Sequence, residues 1–337
     1  MPPAPIHSCS NAECKVRVDG TCAEGRSLRE CPYYAGSELK QGAAAYIGEA
    51  LVIDEDLKPL EEAVRLSSSE AAAHLTEYES TVVAVIGPSA AGKTCLIAGL
   101  HHLFQQGPVG PFEFAGSKTL HAFEEVGHGA RLESGFSEPE SERTLSGPAK
   151  FFELTLGTVG RIRKRRVLIA DRWGEDYQGV LDSHPRPEEF FEVARADVLT
   201  MLVDGQRILD PGSRYEVAEE AMATLQVFLE VGLLARSPHL AVVLTKLDIV
   251  LDESSRERAL ADFARLVFRI EGQFATRVTG VSSFRTAASP KVMAAMRGEG
   301  LRELLRCWME DRRLNGYVRQ QYARRRPIDS YPRREEV

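Results

Sequence analysis

The chain has 337 residues, 43% of them hydrophobic and 27% charged, a composition that excludes disordered and fibrous classes and fits a globular protein. Forty-two basic against forty-nine acidic residues give a formal charge of −7, so no global positive field draws the molecule onto nucleic acid. No apolar run reaches the roughly 18 residues of a bilayer span, and the start MPPAPIHSCS has no basic-then-apolar leader; a cytoplasmic protein without membrane insertion is expected.

Residues 1–36 carry Cys9, Cys14, Cys22 and Cys31 among glycines and prolines. So short a segment buries little apolar surface and needs a staple. In a reducing cytosol, clustered thiols suit a metal better than disulfides. The four thiolates can hold Zn²⁺ tetrahedrally, with Gly20, Gly25 and Pro32 supplying turns. The gaps of four, seven and eight residues depart from the C-x₂-C pairing, so scattered reduced thiols remain the alternative. With four protein ligands the site is closed and structural.

Residues 37–80 read as a partly helical connector, with Leu57, Leu60 and Val64 on one face of a helix over 57–66. A larger domain follows over 81–316. It opens with the β-branched strand TVVAVIG (81–87) and an amphipathic helix over 93–106, whose apolar face is Leu96, Ile97, Leu100, Leu103 and Phe104. Residues 107–149 are polar and without period, the mark of a functional or mobile stretch. KFFELTLGTV and RRVLIAD then form a hairpin, with the basic run Arg161 to Arg166 as its loop. ADVLTMLVDG, HLAVVLTKLD and FATRVTGVSS are further strands, alternating with helices over 214–234, 254–272 and 299–314. Such alternation with continuous apolar strands specifies an α/β fold with a mostly parallel sheet covered on both faces. The tail 317–337 has few apolar anchors and is expected to fray.

GPSAAGKT, from Gly87 to Thr94, matches G-x-x-x-x-G-K-[ST] in full and lies between a buried strand and a helix, where the pattern has meaning. Its backbone, through Ser89, Ala90, Ala91 and Gly92 and on to Cys95, can wrap phosphates at a helix N-terminus. Lys93 is placed to neutralise the β/γ-phosphates and the Thr94 hydroxyl to ligate Mg²⁺. Cys95 and Cys307 also read as residues of helix cores.

Three further segments fall at C-terminal strand ends, the edge where doubly wound sheets take ligands. In DRWG (171–174), Asp171 can orient a metal-bound water, and Gly174 lets its N–H approach a γ-phosphate. In TKLD (245–248), Asp248 can accept hydrogen bonds from guanine N1–H and its exocyclic amine. Adenine presents a bare acceptor there and is rejected. Lys246 can lay its stem along the base. Thr245 stands where such motifs usually begin with Asn, and is shorter. In VSSF (281–284), Ser282 and Ser283 offer backbone N–H groups to guanine O6.

The order of phosphate loop, DxxG, TKxD and a Ser-containing last loop resembles the GTPase class of P-loop proteins, which includes Ras-like and translation-factor enzymes. FAGSKTLHAFEE, ESERT around Thr144, DRWGEDY and LVDGQR narrow the resemblance to bacterial double-GTPase-type domains, which are tied to conflict and defence systems. The resemblance covers roughly residues 81–315. It implies a Ras-like domain with a sheet of about six strands, GTP or GDP with Mg²⁺ as ligands, and Thr144 as the switch threonine that joins Thr94 and Asp171 on the metal. A nucleotide-state switch that reports to a protein partner is the leading expectation, with a partner or homodimerisation raising its hydrolysis.

Ras-like enzymes place Gln directly after DxxG; here Glu175 stands there, close in charge to the phosphate it would serve, so slow intrinsic hydrolysis is expected. Arg143 and Arg172 can stabilise charge or form structural pairs, the latter being the commoner fate. Asp204, ending LVDG, lines the pocket or caps a turn. The basic run lacks interleaved aromatics and gives little ground for nucleic-acid contact. A P-loop ATPase and a non-catalytic nucleotide-holding scaffold remain the alternatives. The cysteine reading is checked by metal analysis: about one equivalent of zinc per purified chain is expected, and less than about half an equivalent overturns it.

Overall fold

The structure, a computed structural model, describes residues 63–129, 147–181 and 186–310, all within the unit Glu61–Val337. Strand β1 (Ser80–Ile86) runs through the middle of a seven-stranded sheet, and its six residues from Thr81 to Ile86 are buried. The other strands are β2 (Phe112–Gly116), β3 (Lys150–Thr158), β4 (Arg161–Asp171), β5 (Val198–Asp204), β6 (His239–Thr245) and β7 (Gly280–Arg285), in the spatial order β2-β3-β4-β1-β5-β6-β7. From β4 across to β7 every neighbouring pair is parallel; β2 and β3 extend the other edge antiparallel.

Ten α-helices occur among the described residues. They are α1 (Ser68–Glu77), α2 (Lys93–Gln106), α3 (Leu120–Gly129), α4 (Gly174–Gly179), α5 (Phe191–Arg195), α6 (Gly205–Leu209), α7 (Arg214–Glu230), α8 (Leu247–Asp252), α9 (Arg256–Phe274) and α10 (Leu301–Met309). Successive strand residues point to opposite faces, so each strand feeds two cores. Val83 and Val85 pack with Leu96, Ile97 and Leu100 of α2, Phe123 of α3 and Trp308 of α10. Ala84 and Ile86 pack on the other face with Phe228 of α7 and Phe263 and Ile270 of α9. Val82 joins Ala71 of α1 on that same face. The two-period strands and 3.6-period helices thus bury their apolar surface against each other, which is why the sheet is covered twice.

Four expectations need correction. The sheet has seven strands, not about six: FEFAG forms β2 at the edge, where its five residues are only half-buried or exposed and show no alternation to read. The nearby HAFEE segment is helical, in α3, within the stretch read as aperiodic. The hairpin turn is Val159–Gly160, with Thr158 opposite Arg161. Gly160, at φ +76°, supplies the left-handed backbone of so tight a connection, and the basic run is part of β4 itself. Arg165 there donates to the Met309 carbonyl at 2.6 Å, and Arg166 lies 3.6 Å from buried Glu153. The described part of 57–66 is not helical; the helix is α1, begun by a capping box in which Ser67 and Glu70 exchange hydrogen bonds. Leu66 instead makes a two-way bridge with Phe151 of β3. Residues 1–36, the four zinc-candidate cysteines and the tail 317–337 lie outside the described residues. No helix among the described residues is long and apolar enough to cross a membrane.

Trp308 is 1% exposed and donates from Nε1 to Thr200 Oγ1 on β5 at 2.9 Å, so α10 is tied to the sheet by packing and by a buried polar contact. Trp308→Ala is expected to cost about 3–5 kcal/mol, read as a shift in the urea unfolding midpoint; a cost under about 1 kcal/mol would contradict this packing.

Candidate functional site

The C-terminal ends of β1, β4, β5, β6 and β7 open onto one edge, and a cavity of about 390 Å³ lies there. That volume is within the range of small-ligand sites. Gly87 follows the last residue of β1, and a Cβ there would come within 3.1 Å of Leu202, so the chain leaves the sheet in close contact with β5. Ala90 (φ +59°) and Gly92 (φ +91°) then turn the loop through left-handed conformations into α2, whose N-terminus no side chain caps. Its first N–H groups therefore face the cavity as an anion site.

Ser89, Ala90, Gly92, Lys93, Thr94 and Cys95 line this end of the cavity, while Ala91 is fully buried beneath it. The Lys93 Nζ donates to the carbonyls of Gly87 (2.9 Å) and Pro88 (2.8 Å). Burial pushes its ammonium down to about 8, while the Asp171 carboxylate holds it up against that pull. Thr94 Oγ1 donates to Asp171 Oδ2 at 3.3 Å, and Asp171 is fully buried at the end of β4. A hydroxyl and a carboxylate beside a phosphate cradle are hard oxygen donors and fit Mg²⁺.

Gly174, at the start of α4, is pressed onto the phosphate loop. A Cβ there would lie 2.4 Å from the Ser89 nitrogen and 2.7 Å from Lys93 Nζ, so only glycine permits this approach. Trp173 lines the cavity beside it. Glu175 is exposed on the first turn of α4 and is not among the lining residues. Arg172 faces away into a buried cluster. It donates to Asp176 (3.1 Å), Glu192 (3.0 Å) and the Glu189 carbonyl (2.7 Å), and it stacks 4.2 Å from the Phe190 ring centroid. Tyr177 donates to the same Glu192 oxygen at 3.2 Å. Burial raises Glu192, with Arg172 opposing, so the pair fixes the segment after Asp171 against α5.

At the other end of the cavity lie Thr245, Lys246, Asp248, Thr286, Ala288 and Lys291. Asp248 is buried, and its Oδ2 accepts from the backbone N–H groups of Lys291 (2.8 Å) and Val292 (3.3 Å). Lys246 takes a left-handed backbone (φ +53°) and pairs with Asp204 Oδ2 at 2.8 Å. Asp204 Oδ1 accepts from the Gln206 N–H at 2.9 Å, so Asp204 caps α6 and holds Lys246. Thr245 Oγ1 donates to the Val203 carbonyl at 3.3 Å and so braces β5. Gly205 is needed here, because a Cβ would lie 2.3 Å from the Thr245 carbonyl oxygen.

Ser282 and Ser283 are not at this edge. They lie within β7 opposite Ala241 and Val242, and Ser282 Oγ meets His239 at 3.0 Å, toward the other end of β6. The loop that reaches the cavity is 286–291, one turn further on. The sequence feature at that loop is the run of small residues in RTAAS, whereas Ser282 and Ser283 stand out by residue type alone. The amides of Lys291 and Val292 had no sequence signal, since any residue supplies one. Thr144 and Arg143 lie outside the described residues.

A family model for Double-GTPase 2 matches residues 81–309. No curated protein matches the chain. Among solved structures it is similar to the signal recognition particle receptor SRb-GTP/SRX complex from Chaetomium thermophilum. The identity is 18%, over 68% of this chain and 96% of that one, with a TM-score of 0.37. It is also similar to the GTP-bound Ski7 GTPase-like domain of S. cerevisiae, at 12% identity over 64% of this chain and 44% of that one, with a TM-score of 0.35. A third is sup35 complexed with GDP, at 15% identity over 66% and 43% of the chains, with a TM-score of 0.27.

The Lys93 ammonium gives a pH test with a defined sign. Its folded value of about 8 lies below the ordinary 10.5, so between those values the folded chain holds fewer protons than the unfolded one and stability rises with pH. Ligand binding runs the other way, since a phosphate at Nζ favours the charged form. Above about pH 8, nucleotide binding should therefore take up a proton and weaken as pH rises. Calorimetry at about pH 8.5 in two buffers of different ionisation heat is expected to show that uptake, and Lys93→Met to abolish it. Equal uptake in the variant would assign the proton elsewhere.

Proposed function

The chain belongs to the Double-GTPase 2 family, a GTPase-class P-loop protein, and from that premise we propose that it is a guanine-nucleotide switch with slow hydrolysis of its own. The observation that carries this reading is the Asp248 carboxylate, buried in the cavity wall and held by two backbone amides. A carboxylate aimed this way selects a base that offers two N–H donors and disfavours one that offers an acceptor. Lys246, steadied by Asp204, flanks the base, and the 286–291 loop covers its carbonyl edge.

At the phosphate end, the loop amides and Lys93 neutralise the β- and γ-phosphates. Thr94 and Asp171 would hold Mg²⁺, with Thr144 as a further ligand in the triphosphate state, and the metal would supply positive charge to the phosphates there. Gly174 would bring its N–H to the γ-phosphate, since the lack of a side chain lets it lie against Ser89. Slow hydrolysis follows from what surrounds this point. Glu175 is exposed rather than turned to the cavity, and Arg172 is committed to Glu192 and Asp176. A partner or a second copy would then supply the missing water-positioning or positive group. The GTP-bound state would set the DRWG loop and the loop that carries Thr144 for a protein partner, with the zinc module of residues 1–36 as receiver and a bacterial conflict or defence system as setting.

The test is a titration of GDP, ADP and XDP with Mg²⁺ against wild type and Asp248→Asn. Wild type should prefer GDP, and the variant should lose about two orders of magnitude for GDP and turn to XDP. If ADP binds as well as GDP and the variant changes nothing, the base is not read by Asp248 and a P-loop ATPase becomes the better reading. Phosphate release that is slow and abolished by Lys93→Ala distinguishes the switch from a scaffold that holds nucleotide without turnover.

A further inference from the structure

The carboxylate oxygen that faces Thr94 also faces an arginine from outside the 81–309 match. Arg65 Nη1 lies 4.0 Å from Asp171 Oδ2, the same oxygen that accepts from Thr94 Oγ1 at 3.3 Å. Its place is fixed by backbone pairing on both sides. The Ala122 N–H donates to the Ala63 carbonyl at 3.0 Å, and Leu66 and Phe151 exchange two bonds of 2.9 Å. The guanidinium also sits 5.8 Å from the ring centroid of Phe152. A segment that precedes the first helix thus delivers a positive charge to the metal side of the pocket.

We infer that Arg65 is a positioning residue for the metal site, whose guanidinium competes with a divalent cation for the Asp171 carboxylate. The inference rests on the reading of Thr94 and Asp171 as a metal-holding pair. Asp171 is fully buried, and a buried carboxylate requires positive charge nearby. Arg65 and a divalent cation both supply it, and two cations drawn to one oxygen repel each other. Arg65 has somewhere to go, because its side chain is 30% exposed and long enough to swing into water. Metal loading therefore displaces the guanidinium from Asp171. The backbone of Arg65 stays tethered next to the site by the Leu66–Phe151 bridge. The segment ahead of α1 is in this way coupled to the loading of the site, a coupling that the phosphate-loop motifs alone do not contain.

The experiment is a Mg²⁺ titration of the full chain saturated with GDP, followed by calorimetry and by the fluorescence of Trp173 in the cavity wall. Arg65→Gln is expected to tighten Mg²⁺ roughly three- to tenfold. Arg65→Lys, which keeps the charge, should stay within about twofold of wild type. A merely structural arginine would lower thermal stability in Arg65→Gln and leave Mg²⁺ affinity unchanged. Unchanged or weakened Mg²⁺ affinity in that variant overturns the inference. Asp171→Asn separates the two levels. If it weakens Mg²⁺ while Arg65→Gln does not tighten it, only the role of Arg65 falls. If Asp171→Asn has no effect on Mg²⁺, the metal-pair reading falls and the inference with it.

Discussion

The Lys93 ammonium is 7% exposed, folded back onto the carbonyl oxygens of Gly87 and Pro88, and charged only because oxygens and the Asp171 carboxylate surround it. Burying a cation costs several kcal/mol unless neighbours compensate, so the surrounding backbone has little freedom. The loop must bend through Ala90 and Gly92 to present its carbonyls, Asp171 must end β4 at that depth, and Gly174 must lack a side chain, since a Cβ would meet Nζ at 2.7 Å. The same arrangement gives the phosphate end its chemistry. A charge held half-satisfied by carbonyl oxygens is ready for a stronger anionic partner, and a carboxylate shared among Thr94, Lys93 and Arg65 is ready for a metal.

Where local sequence settles local structure, the chain was readable. The phosphate loop was legible because glycines, a lysine and a threonine at fixed spacing between a strand and a helix have few other uses, and α2 spans Lys93–Gln106 as its periodicity requires. The parallel strands were legible because burial on both faces leaves continuous apolar runs, as in VVAVI and LAVVL. Legibility failed where an edge or a turn carried the signal. FEFAG is a strand only because β3 offers it an edge, and RIRKRR reads as a loop because its charge outweighs the turn signal of Gly160. Arg165 and Arg166 can sit in a strand because a carbonyl, a buried glutamate and an aromatic ring receive them, and none of these is adjacent in sequence.

The site was legible in its motifs and not in its supports. Asp171, Gly174, Lys246 and Asp248 converge at one edge as their spacing implied. The amides that orient Asp248 and the arginine facing Asp171 come from a loop and a preceding segment whose positions only the fold decides, and the tie between Asp204 and Lys246 follows from the pairing of β5 with β6. Ser282 and Ser283 show the opposite error. Residue type suggested a role, and a register shift of a few positions placed them in the body of β7, with the 286–291 loop taking the cavity.

The two ends of the cavity are built differently, and the difference bears on how a switch would work. The base end is closed by backbone hydrogen bonds and one short ion pair, Asp248 to two amides and Lys246 to Asp204, contacts already complete and unaffected by the number of phosphates. The phosphate end is closed by charges whose partners are exchangeable: Lys93 can trade carbonyls for phosphate oxygens, and Asp171 can trade a guanidinium at 4.0 Å for a metal. On the proposed reading, affinity from the Asp248 end would be common to the diphosphate and triphosphate forms and could not shift a conformational equilibrium, because a ligand shifts one only by its differential affinity. Any switching free energy must therefore arise at the phosphate end, and the segments placed to receive it are those in contact there: the Gly174 turn, pressed on Ser89, and the strand-paired segment that carries Arg65.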